Sequence, residues 1–459
     1  MGRVLSAISF FPRGGSAHAA RGLARELPRH GWSVRLVPGS RRDPGADADA
    51  EWFYRGLDVC PVDLSAERLP QPSYEDRAGS GEPIYASLDD LQFERLVRRW
   101  GRALRSAGAA TCDVLHLHHL TPINEAAARV AAEVPIVGQL HGTELLMLER
   151  IDAGPPASWT NAERWRERMI GWARRCSRLL VAPGSVDRAT DLLGVARERI
   201  VALPNGFDPA LFHPRRIDRL AHWRRHLVEE PRGWAPGQAA GSVAYSERDL
   251  APFGDGIVLV YVGRFTEVKR LPLLIRAYAQ AQPRFRRSAP LVLVGGYPGE
   301  WEGEHPASAI AASGVREVFL AGWHDHAALP PFLAAADAMV FPSVCEQFGQ
   351  ALVEAMACEL PVVAASSFGP RAIVEAGTGW LVPPDDVDAM ANALVEVVND
   401  DAERELRGRR ARQSVTRRYV WPLVARRAAA AFALATQEGP EEAAEPAVGS
   451  ASPHGRILA

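Results

Sequence analysis

The sequence predicts an α/β protein made of two doubly wound domains, each with a parallel sheet covered by helices on both faces. Short apolar runs rich in β-branched residues alternate with longer segments that have the spacing of amphipathic helices, the pattern of strand–helix–strand units. These runs fall into two sets of about six, one in each half of the chain. A length of 459 residues is sufficient for two such domains.

The predicted strands of the first half are Val4–Phe11, Ser33–Val37, Asp113–Leu117, Pro135–Leu140, Leu179–Ala182 and Ile200–Leu203. Those of the second half are Ile257–Val262, Leu291–Val294, Val318–Ala321, Ala338–Phe341, Pro361–Ala364 and Trp380–Val382. We therefore expect domains at residues 1–206 and 254–418.

The segments outside these domains differ in composition. Residues 207–253, rich in Arg, Gly and Pro, are interpreted as a linker or insertion with some helix around Ile217–Val228. Residues 41–88 form a second irregular stretch. Residues 419–436 predict a final Ala-rich helix, and residues 437–459 have the Glu-, Pro- and Gly-rich composition of a disordered tail.

Composition excludes several classes of function. The formal net charge of −2 argues against a general nucleic-acid-binding protein. The five cysteines are widely spaced and include no Cys-x-x-Cys pair, which is typical of a reducing cytosol and argues against a disulfide framework. No signal-peptide pattern is present, and no apolar run approaches the roughly 18–20 residues of a membrane span. We expect a cytoplasmic protein.

A pair of glycines follows the first predicted strand. Gly14 and Gly15 open a helical segment, where consecutive glycines allow backbone N–H groups to approach an anion at the helix N-terminus. An ordinary tight turn explains the pair equally well. No full Gly-x-Gly-x-x-Gly is present, so a dinucleotide site is not indicated.

A histidine, His141, stands at the end of the fourth predicted strand and precedes Gly142. Open α/β sheets bind ligands at this end of their strands, although a structural histidine is an equal alternative. His116, His118 and His119 lie on the preceding strand. They have no carboxylate or cysteine partner nearby in the sequence, so we do not expect a metal site.

One residue of the 53 lysines and arginines is a lysine, Lys269. It follows Arg264 by five residues, between a strand and a predicted helix. A compact ammonium beside a guanidinium suits the two phosphates of a diphosphate and stabilises charge that develops on it as a leaving group. A surface lysine retained by chance is the alternative.

The most specific motif is Glu346-x7-Glu354, after a predicted strand. Gly349 begins a helix there, and the N–H groups of Phe348 and Gly349 face the position of a phosphate. Carboxylates accept hydrogen bonds from vicinal hydroxyls of a ribose or hexose. Glu354 lies in an apolar run, where a carboxylate without a partner is costly to bury.

Together, these motifs resemble those of retaining glycosyltransferases of family 4, which have the two-domain GT-B fold. Five segments carry the resemblance, in the family's order and spacing, from Met1 to about Ala435: Gly14-Gly15, His141-Gly-Thr, Pro204–Asp208, Gly263-Arg264 with Lys269, and Glu346-x7-Glu354.

The resemblance implies roles for these residues. His141, Arg264, Lys269 and Glu346 would form the catalytic group, and Gly14, Gly15, Phe348, Gly349 and Glu354 would complete the donor site. Arg264 and Lys269 would bind the diphosphate, Glu354 the ribose and Glu346 the donor sugar. His18 and Asn205 would lie on the acceptor side. The final helix would cross back onto the first domain.

The implied activity is transfer of a hexosyl group from a UDP- or GDP-sugar to a small acceptor, with retention and without a metal or other cofactor. Two departures from the family weaken any inference about the donor. The segment Ser367–Ala372 lacks the glutamate of the Gly-Gly-x-Pro-Glu sequence common in the family, and residues 213–253 exceed its usual connection.

Three other interpretations remain open. Lys269 could form a Schiff base, although no matching cofactor constellation accompanies it. A non-catalytic sugar-nucleotide sensor would keep the same residues. Two Asp-x-Asp sequences, at 47–49 and 386–388, do not follow strands as metal sites of transferases do, and we interpret them as loop acids.

The helical segment from Phe93 to Arg105 bears on the acceptor. Its apolar stripe comprises Phe93, Leu96, Val97, Trp100 and Leu104, and its arginines lie elsewhere. Such a helix can lie on an anionic membrane and would imply a lipid acceptor. Packing against its own domain is the favoured interpretation, and we expect a small soluble acceptor.

Overall fold

The computed structural model describes residues 1–12, 14–40, 49–64, 71–74 and 83–438, with the backbone alone at Glu438. Two domains, each built on a parallel sheet with helices on both faces, are joined through residues 207–253 and a final helix that returns to the first domain. The predicted α/β class is confirmed.

The first sheet consists of β1 (Gly2–Ile8), β2 (Trp32–Ser40), β3 (Asp58–Val59), β4 (Val62–Asp63), β5 (Val114–His118), β6 (Ile136–Gln139), β7 (Arg178–Val181) and β8 (Ile200–Ala202). Its strands run in the order β3-β2-β1-β5-β6-β7-β8, and β4 pairs with β2. All these pairs are parallel. The six strands predicted in this half are present, whereas β3 and β4 are too short for a periodic signal.

The second sheet consists of β9 (Leu259–Gly263), β10 (Leu291–Gly295), β11 (Val318–Gly322), β12 (Ala338–Phe341), β13 (Val362–Ala365) and β14 (Gly379–Val382). Its strand order is β11-β10-β9-β12-β13-β14. The order reverses beside β9 here and beside β1 in the first sheet. Ligands of open α/β sheets bind at such switch points, outside the carboxyl ends of the strands.

The helices of the first domain are α1 (Gly15–Glu26), α2 (Ala50–Phe53), α3 (Asp90–Ser106), α4 (Pro122–Val130), α5 (Thr143–Asp152), α6 (Ala162–Arg175) and α7 (Val186–Leu193). Those that follow are α8 (Arg219–Arg224), α9 (Pro252–Asp255), α10 (Leu271–Ala281), α11 (Pro306–Ser313), α12 (Leu329–Ala334), α13 (Gln350–Ala357), α14 (Phe368–Ile373), α15 (Val387–Asn399), α16 (Asp401–Arg418) and α17 (Trp421–Glu438). Polar caps fix several starts: Asp89 and Gln92 form a capping box on α3, and Asp386 caps α15.

Helix α3 packs against its own domain, as favoured from the sequence. The five residues of its apolar stripe are at most 5% exposed. No apolar face of this helix is therefore available to a membrane, which removes the basis for the lipid-acceptor alternative. Arg99, one of the arginines outside this stripe, is also buried, at 7% exposure, because the helix face turns it toward the space between the domains. Across the described part of the chain, no helix has both the length and the apolar character to cross a bilayer.

Residues 207–253, which connect the two sheets, pack into the second domain. Their aromatic side chains, including Phe212, Trp223 and Phe253, join the core beneath β9 and β11. The indole of Trp234 donates to the carbonyl of Gly296 at 2.9 Å. The hydroxyl of Tyr245 accepts from the N–H of Leu320 at 2.7 Å. The segment thereby covers β11, an edge strand that would otherwise expose unpaired backbone groups.

Helix α17 crosses back to the first domain, as the resemblance implied. Its buried residues Val424, Ala428 and Phe432 pack with core residues of α1, β1, β5 and β6. The approach is close at its first turn, because a Cβ atom on Gly22 or Gly206 would lie 2.2 or 2.5 Å from the Trp421 ring. The predicted tail lies mostly outside the described residues.

We expect Phe432→Ala to lower the free energy of unfolding by about 3–5 kcal/mol, because Phe432 is fully buried between the Trp32 and His116 rings. Leu434→Ala is the matched control, since Leu434 lies two residues further along the same helix and is 45% exposed. Denaturant unfolding would measure both variants. Equal losses of stability would contradict the docking of α17 through Phe432.

Candidate active site

A cavity of about 470 Å³ lies between the domains, at the carboxyl ends of both sheets. It contains nine of the residues selected from the sequence: Gly14, Gly15, His141, Asn205, Arg264, Lys269, Glu346, Phe348 and Gly349. His18 and Glu354 do not line it. Residues that are far apart in the chain meet here because parallel strands end at one edge of each sheet.

Two helices begin at the cavity. Gly14 has a φ of +82°, which lets the chain turn from β1 into α1, and Gly15 is the first residue of that helix. On the other side, Gly349 has a φ of +99° and precedes α13. The unpaired N–H groups of both helix starts therefore face the same space, which favours a ligand carrying negative charge.

The single lysine also lies here. Lys269 ends a 3₁₀ turn after β9, and its ammonium forms an ion pair with the Glu346 carboxylate. The Lys269 and Glu346 side chains are 14% and 17% exposed, so both remain accessible from the cavity. Arg264 lines the same region. The two cations predicted to bind a diphosphate thus lie at one end of the cavity.

Glu354 lies deeper than its predicted role suggests. It is 2% exposed, and its Oε1 accepts from His326 Nε2 at 2.6 Å and from Gln350 Nε2 at 2.8 Å. The protein therefore supplies partners for this carboxylate, and its burial does not by itself require a ligand. No local signal in the sequence points to His326, because it lies 28 residues before Glu354 in the chain.

His18 packs at the domain interface, outside the cavity, where its ring centroid lies 4.2 Å from that of His326. Its Nδ1 contacts Arg21 at 2.9 Å. Burial, followed by the charges of His326 and Arg21, holds the pKa of His18 well below its usual value. The structure does not bring His18 to the predicted acceptor side, whereas Asn205 does line the cavity.

Gln347, which the sequence analysis did not select, connects the two domains. Its Oε1 accepts from Ser185 Oγ at 2.8 Å and from Arg188 Nη1 at 2.9 Å. Arg188 is held in turn by two hydrogen bonds to Glu149. Gly142 fits beneath this side chain, since a Cβ atom there would lie 2.0 Å from Gln347 Cγ. This contact keeps the turn at His141 and Gly142 against the loop that carries Glu346.

His141 belongs to a row of buried polar side chains at the centre of the first sheet. Its Nε2 lies 2.9 Å from His118 Nδ1, and the two rings stack at an interplanar angle of 16°. Ser6 Oγ contacts both His118 Nε2 and His116 Nδ1, at 3.2 and 3.3 Å. Burial lowers the pKa of His116 to about 4 and those of His118 and His141 well below the usual value, so all three rings are neutral at pH 7.

His119 faces a separate carboxylate. Its Nδ1 lies 2.6 Å from Oε1 of Glu144, which is fully buried, and the Glu144 carboxylate also accepts from the backbone N–H of His141 at 3.2 Å. Among the described residues, no group of three or more His, Cys, Asp and Glu side chains could hold a metal ion. Asp386 and Asp49 cap α15 and α2, and Asp47 lies outside the described residues.

Sequence comparisons identify the two halves of the chain. The family model described as "Glycosyltransferase Family 4" matches residues 13–211, and the one described as "Glycosyl transferases group 1" matches residues 246–414. The two matches coincide with the two domains that form the cavity. The chain belongs to the family 4-type glycosyltransferases of the GT-B fold. The resemblance inferred from the motifs is confirmed.

Curated relatives of this glycosyltransferase carry different names. The chain is 36% identical over 216 residues to D-inositol 3-phosphate glycosyltransferase of Kribbella flavida, an alignment spanning 43% of the chain and 48% of the relative. It is 29% identical to glycogen synthase of Mycobacterium tuberculosis over 71% of the chain and 70% of the relative. The chain thus spans about half the length of the first relative.

Solved structures support the fold of this glycosyltransferase. Anabaena HepE, solved in complex with UDP and glucose, superposes with a TM-score of 0.65 over 94% of this chain and 100% of its own. The two sequences are 18% identical. At this identity the likeness concerns the GT-B architecture alone.

We expect Gly142→Ala to raise the donor KM about tenfold, because the added methyl group would displace Gln347 and separate the two domains near Glu346. Gly154→Ala is the matched control, since Gly154 also has a positive φ, +105°, but has no atom within 4 Å of the added Cβ. The double variant Gly142→Ala/Gln347→Ala should recover part of the loss. Steady-state kinetics and small-angle scattering would test this, and equal effects of the two glycine variants would contradict it.

Proposed function

We propose that the protein transfers a hexosyl group from a nucleoside-diphosphate sugar to a small acceptor, with retention of configuration. The observation that carries this proposal is the convergence of Arg264, Lys269 and two helix N-termini on one interdomain cavity. This set suits a diphosphate, both as a bound group and as a leaving group. HepE, which has the same architecture, was solved with UDP and glucose.

The charges at the donor end suggest how transfer proceeds. Lys269 and Glu346 neutralise each other in the free protein, and a bound donor would take the ammonium through its diphosphate and the carboxylate through its sugar hydroxyls. The bond between the anomeric carbon and the diphosphate oxygen breaks as the acceptor oxygen bonds to that carbon on the same face. The acceptor proton passes to the departing phosphate oxygen, whose charge the two cations stabilise.

The other end of the cavity suggests the acceptor. Phe10, Tyr74, Tyr85, Leu96 and Trp100 line it in the first domain. Its tyrosine hydroxyls are already engaged, because Tyr74 donates to the Leu120 carbonyl and Tyr85 lies 3.3 Å from Ser9 Oγ. The walls thus present ring faces beside the polar side chains of Gln71 and Arg99, which favours a small acceptor with an apolar face over a fully polar one. Cytoplasmic location stays a prediction.

We also propose that no metal ion takes part, since the two cations and helix N-termini can supply the positive charge that a metal would bring to the diphosphate. This proposal predicts that turnover survives EDTA. Restoration of a chelated, inactive enzyme by Mg²⁺ or Mn²⁺ would contradict it.

Incubation with UDP- and GDP-sugars is expected to yield nucleoside diphosphate by slow hydrolysis, and faster when an acceptor is present. Lys269→Met should lower kcat about 100-fold or more, because it removes one donor to the leaving group. Asp388→Asn is the matched control, since Asp388 lies outside the cavity and accepts a hydrogen bond from Gln280. Donor binding without turnover by any sugar would favour a sensor. An inverted anomeric coupling in the product's NMR spectrum would contradict retention.

Phe10→Ser is expected to raise the KM of the acceptor about tenfold with little change in the donor KM, because Phe10 is the ring that meets Tyr74, Tyr85 and His119. Phe10→Leu should retain most of the affinity. Simple phenols, inositol 3-phosphate and glycogen would serve as probes. Better turnover of inositol 3-phosphate or glycogen than of every phenol would contradict the apolar acceptor.

A further inference from the structure

A continuous row of hydrogen-bonded side chains leads from the core of the first sheet to the cavity wall. From the inner end, Gln139 Oε1 lies 3.0 Å from His116 Nε2, and Ser6 Oγ lies 3.3 Å from His116 Nδ1. Ser6 Oγ also lies 3.2 Å from His118 Nε2, and His118 Nδ1 lies 2.9 Å from His141 Nε2. The four inner residues are at most 3% exposed.

Strand register holds these side chains together. Ser6 pairs with His116 across β1 and β5, and His118 pairs with Gln139 across β5 and β6. Side chains two residues apart on a strand point to the same face, so His116 and His118 both reach Ser6. His141 follows β6 and completes the row at the cavity.

The inner end of the row is the amide oxygen of Gln139, and this acceptor fixes the direction in which every hydrogen bond of the row is donated. An amide oxygen accepts only, so His116 carries its proton on Nε2. Because the His116 ring is neutral, its Nδ1 holds a lone pair and takes the hydroxyl proton of Ser6. The Ser6 oxygen then accepts from the Nε2–H of His118.

The direction of hydrogen bonding continues to His141 at the cavity wall. A neutral His118 with its proton on Nε2 has a lone pair on Nδ1, so His141 must donate from its Nε2–H. His141 then keeps no proton on Nδ1, the ring nitrogen outside the row. Burial, followed by His119 and His116, holds the pKa of His141 well below its usual value, which disfavours a second proton on the ring.

We propose that Gln139, His116, Ser6 and His118 are positioning residues that fix the tautomer of His141, so that its Nδ1 accepts a hydrogen bond from a hydroxyl of the donor sugar. The assignment of this hydroxyl to a donor sugar rests on the proposed function. The tautomer rests on the free protein alone. It also assigns His141 a binding role, since a neutral ring with a bare Nδ1 has no proton to give the leaving group.

Nitrogen-15 NMR of the free, full-length protein with labelled histidine tests the tautomer. The chain has 13 histidines, and His141→Gln would identify the signals of His141. We expect a pyridine-like Nδ1 and a pyrrole-like Nε2. The reverse pattern, or averaged signals for both nitrogens, would overturn the proposal whether or not the protein turns over a donor.

Variants distinguish a fixed direction of hydrogen bonding along the row from simple packing of its side chains. Ser6→Ala should interrupt the row and average the two His141 signals. Ser33→Ala, which removes a hydroxyl bonded to the Gly2 carbonyl on the neighbouring strand, is the matched control and should leave them unchanged. His118→Asn keeps an acceptor oxygen near the Nδ1 position and should retain the tautomer, whereas His118→Leu should lose it. Retention of the tautomer in both Ser6→Ala and His118→Leu would contradict the row as its cause.

Kinetics connect the tautomer to the sugar. With an accepted UDP-sugar, Ser6→Ala should lower kcat/KM about tenfold, the size of one hydrogen bond. With monodeoxy donors, one analogue should show the same loss in the wild type and no further loss in Ser6→Ala. Additive losses for every analogue would contradict the contact between His141 and the sugar. Absence of turnover with any donor would refute the proposed function, and the NMR result would still decide the tautomer.

Discussion

The parallel arrangement of every strand pair is the constraint on which the rest of this structure depends. Parallel strands place all their carboxyl ends at one edge of a sheet, so the loops after β1, β6, β9 and β12 open toward the same cavity. The fold thereby brings together short motifs that lie at those strand ends. Helix α17 packs against the first domain and Gln347 accepts a hydrogen bond from Ser185, so both connect the two domains.

The polar groups of the site are paired within the protein. Lys269 is paired with Glu346, Glu354 with His326, and His141 with His118. Unpaired charges are costly to bury, so these internal partners stabilise the free protein. Under the proposed function, a donor that replaces the Lys269–Glu346 pair would offer its diphosphate to the ammonium and its sugar hydroxyls to the carboxylate.

The two ends of the cavity differ in chemistry. One end is formed by cations, a carboxylate and helix starts, whereas the other is formed by aromatic rings beside the polar Gln71 and Arg99, from the loop after β1, residues 71–74 and 83–88, and α3. The relatives bear names that point to different acceptors.

The sequence alone determined the α/β class, twelve strands, the crossover helix and most of the cavity residues, because apolar periodicity and glycine-bearing turns are local signals. Tertiary structure decided what local signals cannot encode. It placed residues 207–253 in the second domain, buried Arg99, moved His18 to the interface and gave Glu354 the partner His326. It also assembled Ser6, His116, His118 and Gln139, which lie on three strands and meet only through sheet register. Contacts between distant segments depend on how the elements pack, and no spacing within the chain records that.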